Sequence, residues 1–426
     1  MIMRAKRPHI GNRNDKINQP RPLNKNTSVV FATFSLHIRG RRLSNNGNVE
    51  PLRDFLISRI KRFVLIEQPL PGSDYVMPKI AVYEHNRLAK LTRSSWWLYI
   101  LYPLLSLTNA NGTQVSFKIR DFLAVLDWCL REKSKIDYMI GMESINTLAG
   151  IILRKFNIVR KVVYYEFDYS PKRYTQSWFN WIYLQLDKFC ATHADYIWEV
   201  SKAMHTARID AGFTPHKSAS VIHVPIGLYP QQIKNVPEHM NRMFKLVYMG
   251  TLGTDNGPEL AIESIPIIAR KFPSVCLYII GDDNNNLVRL TAIVRSLKIE
   301  RNVKFMGLMT NREEIATLMS RMYIALAPYR AISGSPRYYA DSSKIRAYFG
   351  AGLPVITTAV PPLGIEAAKK GAALIVKDDA QDIAQAVIKL FTNHKRYSDM
   401  RNKAVEFAKD NTFEKGFTRA FSQMTL

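Results

Sequence analysis

The chain has 426 residues, 47% of them hydrophobic and 11% aromatic, which exceeds what one core usually supports and predicts two domains of roughly 200 residues each. Sixty Lys and Arg against 35 Asp and Glu give a formal charge of +25, so an anionic partner such as nucleic acid, acidic lipid or a phosphorylated substrate is required. The three cysteines, Cys129, Cys190 and Cys276, show no paired spacing, which argues against a disulfide framework or a zinc site and fits a reducing compartment.

Residues 1–25 are basic and polar. They lack the apolar centre of a signal peptide and read as a disordered arm on a protein that stays in the cytoplasm. The first strand, Val29 to Phe34, opens an alternation of short β-branched or aromatic strands with longer helical patterns. Its successors are Phe63 to Ile66, Tyr138 to Gly141, Lys161 to Tyr165, Ala194 to Trp198 and Val221 to Val224. That rhythm predicts an α/β fold of parallel sheets covered by helices. The loop after the first strand holds His37, Arg39, Arg41 and Arg42, a density of positive charge that suits either a solvated face or an acceptor phosphate such as a lipid diphosphate.

Trp96 and Trp97 begin an apolar run that ends at Leu107, short of the roughly 18–20 residues a transmembrane helix needs. Preceded by Arg87, Lys90 and Arg93, it reads either as an interfacial segment on an anionic membrane surface or as a buried helix. Trp178 to Leu184 has helical spacing and reads as core.

Residues 226–243, with Pro230 and Pro237, lack periodicity and read as a linker. A second series follows: a strand Lys245 to Gly250, a helix Pro258 to Lys271, then strands Cys276 to Gly281, Val303 to Gly307, Ile324 to Pro328 and Leu374 to Val376. Two doubly wound lobes are expected, 26–225 and 244–408, with the ligand beyond the carboxyl ends of the strands. A last helix within 409–426 is expected to pack back on the first lobe.

Asp341 to Thr358 reads as an anion-binding loop, a short helix and a buried strand in succession. Asp341 or one of the serines, Ser342 and Ser343, can cap the helix and leave backbone N–H groups and Lys344 aimed at a phosphate. A solvated lysine is the bland alternative, but a cation is unfavourable at the positive helix end unless an anion binds there. Gly352 ends the helix, Pro354 prevents its continuation, and Val355-Ile356 starts a strand suited to a sheet buried on both faces.

The second half resembles, through Gly250-Thr251-Leu252-Gly253, Leu277 to Asp282, Val303 to Gly307, Ala327-Pro328-Tyr329, Ser343-Lys344 and Ala351 to Ile356, the nucleotide-sugar lobe of the GT-B glycosyltransferases, in the manner of the group-1 or family-4-like bacterial and archaeal enzymes. Tyr164 to Pro171 and Val224 to Gly227 extend the likeness more loosely into the first half. The resemblance implies two Rossmann-like lobes facing across a cleft, and transfer of a sugar from a nucleotide-diphosphate donor to a lipid-linked or cell-surface glycan acceptor, as in polysaccharide biosynthesis. It implies no metal or other cofactor, no nucleic acid partner, and a peripheral position on the inner face of the cell membrane. The donor contacts it implies are Gly250, Thr251, Gly253, Arg337, Asp341, Ser342, Ser343 and Lys344.

The chain departs from the family where paired glutamates are usual, at Tyr339 and Ala347, and where two diphosphate cations are usual, at Thr251 and Asn256. Arg330, Arg337 and Arg346 are the possible substitutes. Inversion and retention of the anomeric centre both stay open, as does an inactive, glycan- or partner-binding relative. For inversion a base is needed in the first lobe. Asp168, which follows a strand and precedes Pro171, is the first candidate, Glu166 the second and Glu143 the third; a turn-forming role for Asp168 is the alternative.

Overall fold

The computed structural model describes residues 23–43, 47–106, 115–132, 134–214, 219–234, 243–281 and 284–425. Nearly all of the basic arm, residues 235–242 of the expected linker, Leu107 and Asp282 lie outside the described residues.

The first lobe is built on β1 (Ser28–Ile38), β2 (Arg41–Leu43), β3 (Arg62–Pro69), β4 (Lys79–Glu84), β5 (Arg87–Arg93), β6 (Ile136–Met142), β7 (Val159–Glu166), β8 (Tyr196–Glu199) and β9 (Ser220–His223). Its helices are α1 (Val49–Ile57), α2 (Trp96–Ser106), α3 (Val115–Arg131), α4 (Glu143–Lys155), α5 (Ser177–His193) and α6 (Lys202–Asp210). The strand order is β5-β4-β3-β1-β6-β7-β8-β9, with β2 paired to β1. From β3 to β9 the pairing is parallel; β4 and β5 extend the sheet antiparallel.

The second lobe carries β10 (Lys245–Met249), β11 (Cys276–Ile280), β12 (Val303–Gly307), β13 (Ile324–Ala327), β14 (Val355–Thr358) and β15 (Ala373–Val376), all parallel in the order β12-β11-β10-β13-β14-β15. Around them lie α7 (Pro258–Ala269), α8 (Asn284–Ser296), α9 (Arg312–Met319), α10 (Ser343–Gly350), α11 (Pro362–Lys369), α12 (Ala380–Thr392) and α13 (His394–Asp410). Every residue of β13 and β14 is buried, as expected of parallel strands covered on both faces. This is the doubly wound α/β architecture expected from the alternation. The chain ends in α14 (Phe413–Ser422), which returns to the first lobe. There Phe413, Phe417 and Phe421 enter the core, and the Phe421 ring lies 5.0 Å from that of Trp198.

Four expectations are corrected. Arg39 to Arg42 do not form an open loop: Arg39 and Gly40 both have positive φ (52° and 71°), and Ile38 pairs with Arg41, the backbone twist that closes a two-residue hairpin. The strands β4 and β5 escaped the sequence reading: β5 is an edge strand exposed at nearly every residue, with no apolar alternation to mark it, while β4 buries Ile80 and Val82 in alternation and was overlooked. α5 is not wholly core, since Trp178, Trp181 and Ile182 are exposed along one face. On α2 the buried reading fails for one face: Trp96, Tyr99, Ile100 and Leu104 stand exposed at helical spacing, Trp96 at 73%, while Trp97 turns inward and donates to Asp127. Cys129 and Cys190 are buried and Cys276 partly so.

Candidate active site in the cleft between the lobes

In the second sheet the strand order reverses between β10 and β13, the place where an open α/β sheet takes its ligand. The turns that leave these strands, at Gly250 and at Pro328-Tyr329, meet the start of α10. Gly257 (φ 67°) packs so tightly against Pro328 that a Cβ there would sit 1.8 Å from its carbonyl oxygen, so only glycine closes this turn. Ser342 caps α10, its Oγ accepting from Ile345 N–H, while its C=O accepts from Arg346 N–H. The N–H groups of Ser343 and Lys344 then head the helix at its positive end.

Lys344 is 7% exposed. Its ammonium sits under Gly250, 4.7 Å from the Tyr248 ring centre and 4.4 Å from that of Tyr329, and makes a long hydrogen bond of 3.4 Å to Asn256 Oδ1. Gly250 must be a glycine in part because a Cβ would come within 3.1 Å of Lys344 Cε. Among the described residues no carboxylate pairs directly with Lys344. Burial, with the nearby charge of Arg337, pulls the ammonium down to about 7, and Asp255 offsets this only partly. Such a cation gains its charge back when an anion arrives.

Between the lobes runs a cleft of 410 Å³. The second lobe contributes Met249, Ile315, Met319, Arg337, Asp341, Ser343 and Ala347; the first contributes Phe167, Asp168 and Ile226. The structure therefore brings Arg337, Asp341, Ser343 and Asp168 into one space, with Lys344 and Gly250 directly behind Ser343. Arg337 is held there by Asp255, its Nε 3.0 Å from Oδ2. Thr251 and Gly253 flank this group: Thr251 Oγ1 accepts from Asn256 Nδ2, and Gly253 begins the turn that carries Asp255.

Other expected site residues are spent elsewhere. Asp341 does not cap α10; its buried carboxylate accepts from Arg346 Nε at 2.7 Å and from Ile226 N–H at 2.8 Å, clipping the lobes together. Arg346 is held through Nε by this pair, with its buried Nη1 left without a hydrogen-bond partner, and Arg330 pairs with Asp378. The Ser342 hydroxyl is engaged by Ile345 N–H and by Tyr329 OH at 2.7 Å, which removes it as a free donor ligand. Glu166 is fully buried and lies among Tyr164, Arg208 and Asp187, so it does not reach the cleft. Glu143 is also turned inward, onto Arg173 at 2.9 Å. Asp168 alone of the three candidate bases is an exposed carboxylate at the cleft wall.

The hairpin cluster is likewise not free. Arg42 pairs with Glu67 and Glu50, and His37 Nδ1 shares a hydrogen bond of 2.8 Å with Tyr75 OH. Burial lowers the His37 imidazolium below its ordinary value, with Lys79 adding to the effect. Arg39 is exposed at the turn; of Arg41 only the backbone, paired in β2, is described. None of the four lines the cleft. Sequence reasoning named Tyr329 only as part of a motif and missed Asp255 and Arg173, whose partners lie on other elements.

Residues 244–393 match the family model described as glycosyl transferases group 1. The matched segment runs from β10 through α12 of the second lobe. No curated protein matches the chain in sequence. In structure the whole chain is similar to Anabaena Alr3699/HepE in complex with UDP, at a TM-score of 0.65 and 14% identity over 93% of this chain and 100% of that one. It is similar to the sucrose-phosphate synthase of Thermosynechococcus elongatus, at 0.63 and 13% over 93% and 98%. It is also similar to a mutant of S. aureus TarM in complex with fondaparinux, alpha-GlcNAc-glycerol and UDP, at 0.52 and 13% over 72% and 59%. At these identities the likeness fixes the fold, the two-lobed GT-B architecture.

Proposed function

We propose that the protein transfers a hexosyl group from a nucleotide-diphosphate sugar, held by the second lobe, to a lipid-linked or cell-surface glycan acceptor held by the first, with inversion. The observation that carries this reading is Lys344, a buried cation at the head of α10 that pairs with no carboxylate among the described residues, in a lobe that matches the group 1 family model. HepE and TarM, which share the fold, were solved with UDP, so UDP-sugars are the first donors to try.

In this reading the diphosphate lies against the N–H groups of Ser343 and Lys344, with Arg337 at the mouth. Lys344 regains its proton and Arg337 exchanges part of its pairing with Asp255, so developing negative charge on the leaving diphosphate is met by groups already in place. Across the cleft Asp168 takes the proton of the acceptor hydroxyl as that oxygen bonds to the anomeric carbon. The electron pair of the breaking C–O bond leaves with the diphosphate.

Membrane association at the inner face is supported by α2. Trp96, Ile100 and Leu104 share an exposed apolar face, and β5 nearby in the sequence exposes Arg87, Lys90 and Arg93, the combination an anionic headgroup layer attracts. Among the described residues no helix is long and apolar enough to cross a membrane.

A thermal-shift screen against UDP-, GDP-, ADP- and CDP-sugars tests the donor reading. A ligand at 100 times its Kd stabilises by about 2.7 kcal/mol, and Lys344→Ala should remove most of the shift. No shift with any donor would leave the inactive, partner-binding relative as the better account. Flotation with anionic liposomes, weakened by Trp96→Ser and by salt and unmatched by duplex DNA, tests the membrane reading; equal retention of DNA would contradict it.

A further inference from the structure

Asp168 is held by its backbone rather than by its side chain. Its N–H donates to Glu166 Oε1 at 3.1 Å, and its C=O accepts from Arg173 Nη1 at 2.8 Å. The same Arg173 nitrogen lies 2.9 Å from Glu143 Oε2 and 3.9 Å from Glu166 Oε1. The following loop is tied as well, with Asn180 accepting from Tyr174 N–H and donating to Pro171 C=O. Both peptide groups that flank the Asp168 side chain are thus fixed, while the carboxylate is left in the cleft.

The anchors are themselves fixed. Glu143 opens α4 at the carboxyl end of β6, beside the reversal of the first sheet between β1 and β6, with a φ of 64°. A left-handed glutamate is uncommon and persists only where its surroundings enforce it. Here the single proton of Thr147 Oγ1 lies between the Glu143 and Gly141 carbonyls, at 2.9 and 3.0 Å, and Gly141 packs so closely that a Cβ would lie 2.5 Å from Thr147 N.

Hydrogen counting, with the distances to Arg208, points to a protonated Glu166. Tyr164 OH lies within hydrogen-bond distance of both Glu166 Oε2 and Asp187 Oδ1, but a phenol has one proton to give. Arg208 donates to Asp187 from Nε at 3.0 Å and from Nη2 at 2.9 Å, and only at 3.4 Å from Nη2 to Glu166 Oε2, so the guanidinium favours the negative charge on Asp187 over Glu166. Tyr164 therefore donates to Asp187, and Glu166 donates its own proton to Tyr164. Glu166 is a neutral acid whose other oxygen receives the Asp168 N–H. Burial raises its pKa in the same sense.

We infer that Glu166, Arg173 and Glu143 are positioning residues: a mount that fixes the peptide of Asp168 and so aims its carboxylate at the acceptor hydroxyl. The inference rests on the transfer reading for its purpose but not for its geometry. Misplacing a reacting group by about 1 Å can cost on the order of 10²-fold in rate.

Two readouts separate the parts. The first is amide hydrogen exchange of the 167–172 segment in the full chain, which needs no activity. Arg173→Lys keeps a charge beside Glu143 but loses the planar fork, and Glu166→Ala removes the acceptor. Each should speed exchange of that segment at least about tenfold, while Glu166→Gln, whose carbonyl still accepts from Asp168 and whose amide still donates to Tyr164, should leave it within about twofold of wild type. The second readout is turnover of UDP-glucose, by transfer or hydrolysis. Arg173→Lys and Glu166→Ala should lower kcat about 10- to 100-fold with the donor KM unchanged, and Glu166→Gln should keep kcat. Exchange unchanged in both damaging variants would overturn the mount. So would a Glu166→Gln as inactive as Asp168→Asn, which would put Glu166 in the chemistry. Wild-type protein that turns over none of the UDP-, GDP-, ADP- and CDP-sugars, with the exchange pattern as expected, would overturn the transfer reading and support the mount.

Discussion

At the carboxyl ends of its strands the second lobe buries a lysine with which no carboxylate among the described residues pairs, whereas the first lobe buries four carboxylates, Glu143, Glu166, Asp187 and Glu199, around Arg173 and Arg208. An unpaired buried charge is costly and is relieved by a ligand of opposite sign. Excess carboxylates can instead keep protons and satisfy one another by hydrogen bonds, as Glu166 and Tyr164 do. The lobes thus differ in what they wait for: the second for an anion, the first for nothing, because its cluster is closed and serves to hold Asp168.

The sharpest way to break this contrast is Asp168→Asn. It should cut transfer by about 10²–10⁴-fold and leave donor affinity within about twofold, measured as kcat against donor KM; equal loss of binding would place Asp168 in the donor site. Next comes Phe421→Ala, which should cost about 3–5 kcal/mol in denaturant unfolding. The loss should fall on the first lobe, since α14 fills that lobe's core beside Trp198. Lys344→Met should weaken UDP-sugar binding by about 1.5–3 kcal/mol, the scale of a charged hydrogen bond, while raising stability without ligand, because a lone buried charge is removed.

The smallest effect is on the pH dependence of stability. Burial pushes Glu199 up to about 7 from 4.5, so the folded state keeps a proton that the unfolded chain gives up, and stability is lost as pH rises from about 4.5 to 7. Lys344 has the opposite sign. Its folded value is depressed from 10.5 to about 7, so the unfolded chain holds the extra proton and stability recovers as pH rises from about 7 to 10.5. Melting of wild type, Glu199→Gln and Lys344→Met from pH 5 to 9 should show each variant flattening its own limb; parallel curves would contradict the assignment.

The contrast also marks what was legible in the sequence. Buried parallel strands such as Val355–Thr358 announce themselves as β-branched runs, and the Ser343-Lys344 helix start with its Gly352 stop is a local signal. The edge strand β5, which buries almost nothing, gave no such signal. Asp168 was legible because it ends a strand, but its mount was not: Glu143, Glu166, Arg173 and Arg208 come from different elements and meet only when the sheet forms. Asp341 misled for a related reason, since its partners Arg346 and Ile226 lie on a helix and in the opposite lobe. The exposed face of α2 was visible as aromatic residues near lysine and arginine, while that of α5 was hidden by a spacing shared with core helices.

The central claim, that a diphosphate binds where Lys344 is buried, is tested most directly by counting protons. UDP-glucose titrated calorimetrically at pH 8 in buffers of different ionisation enthalpy should take up close to one proton per site, as Lys344 is recharged, and Lys344→Met should take up none. Tight binding without proton uptake, or with the same uptake in the variant, would show that the phosphates lie elsewhere.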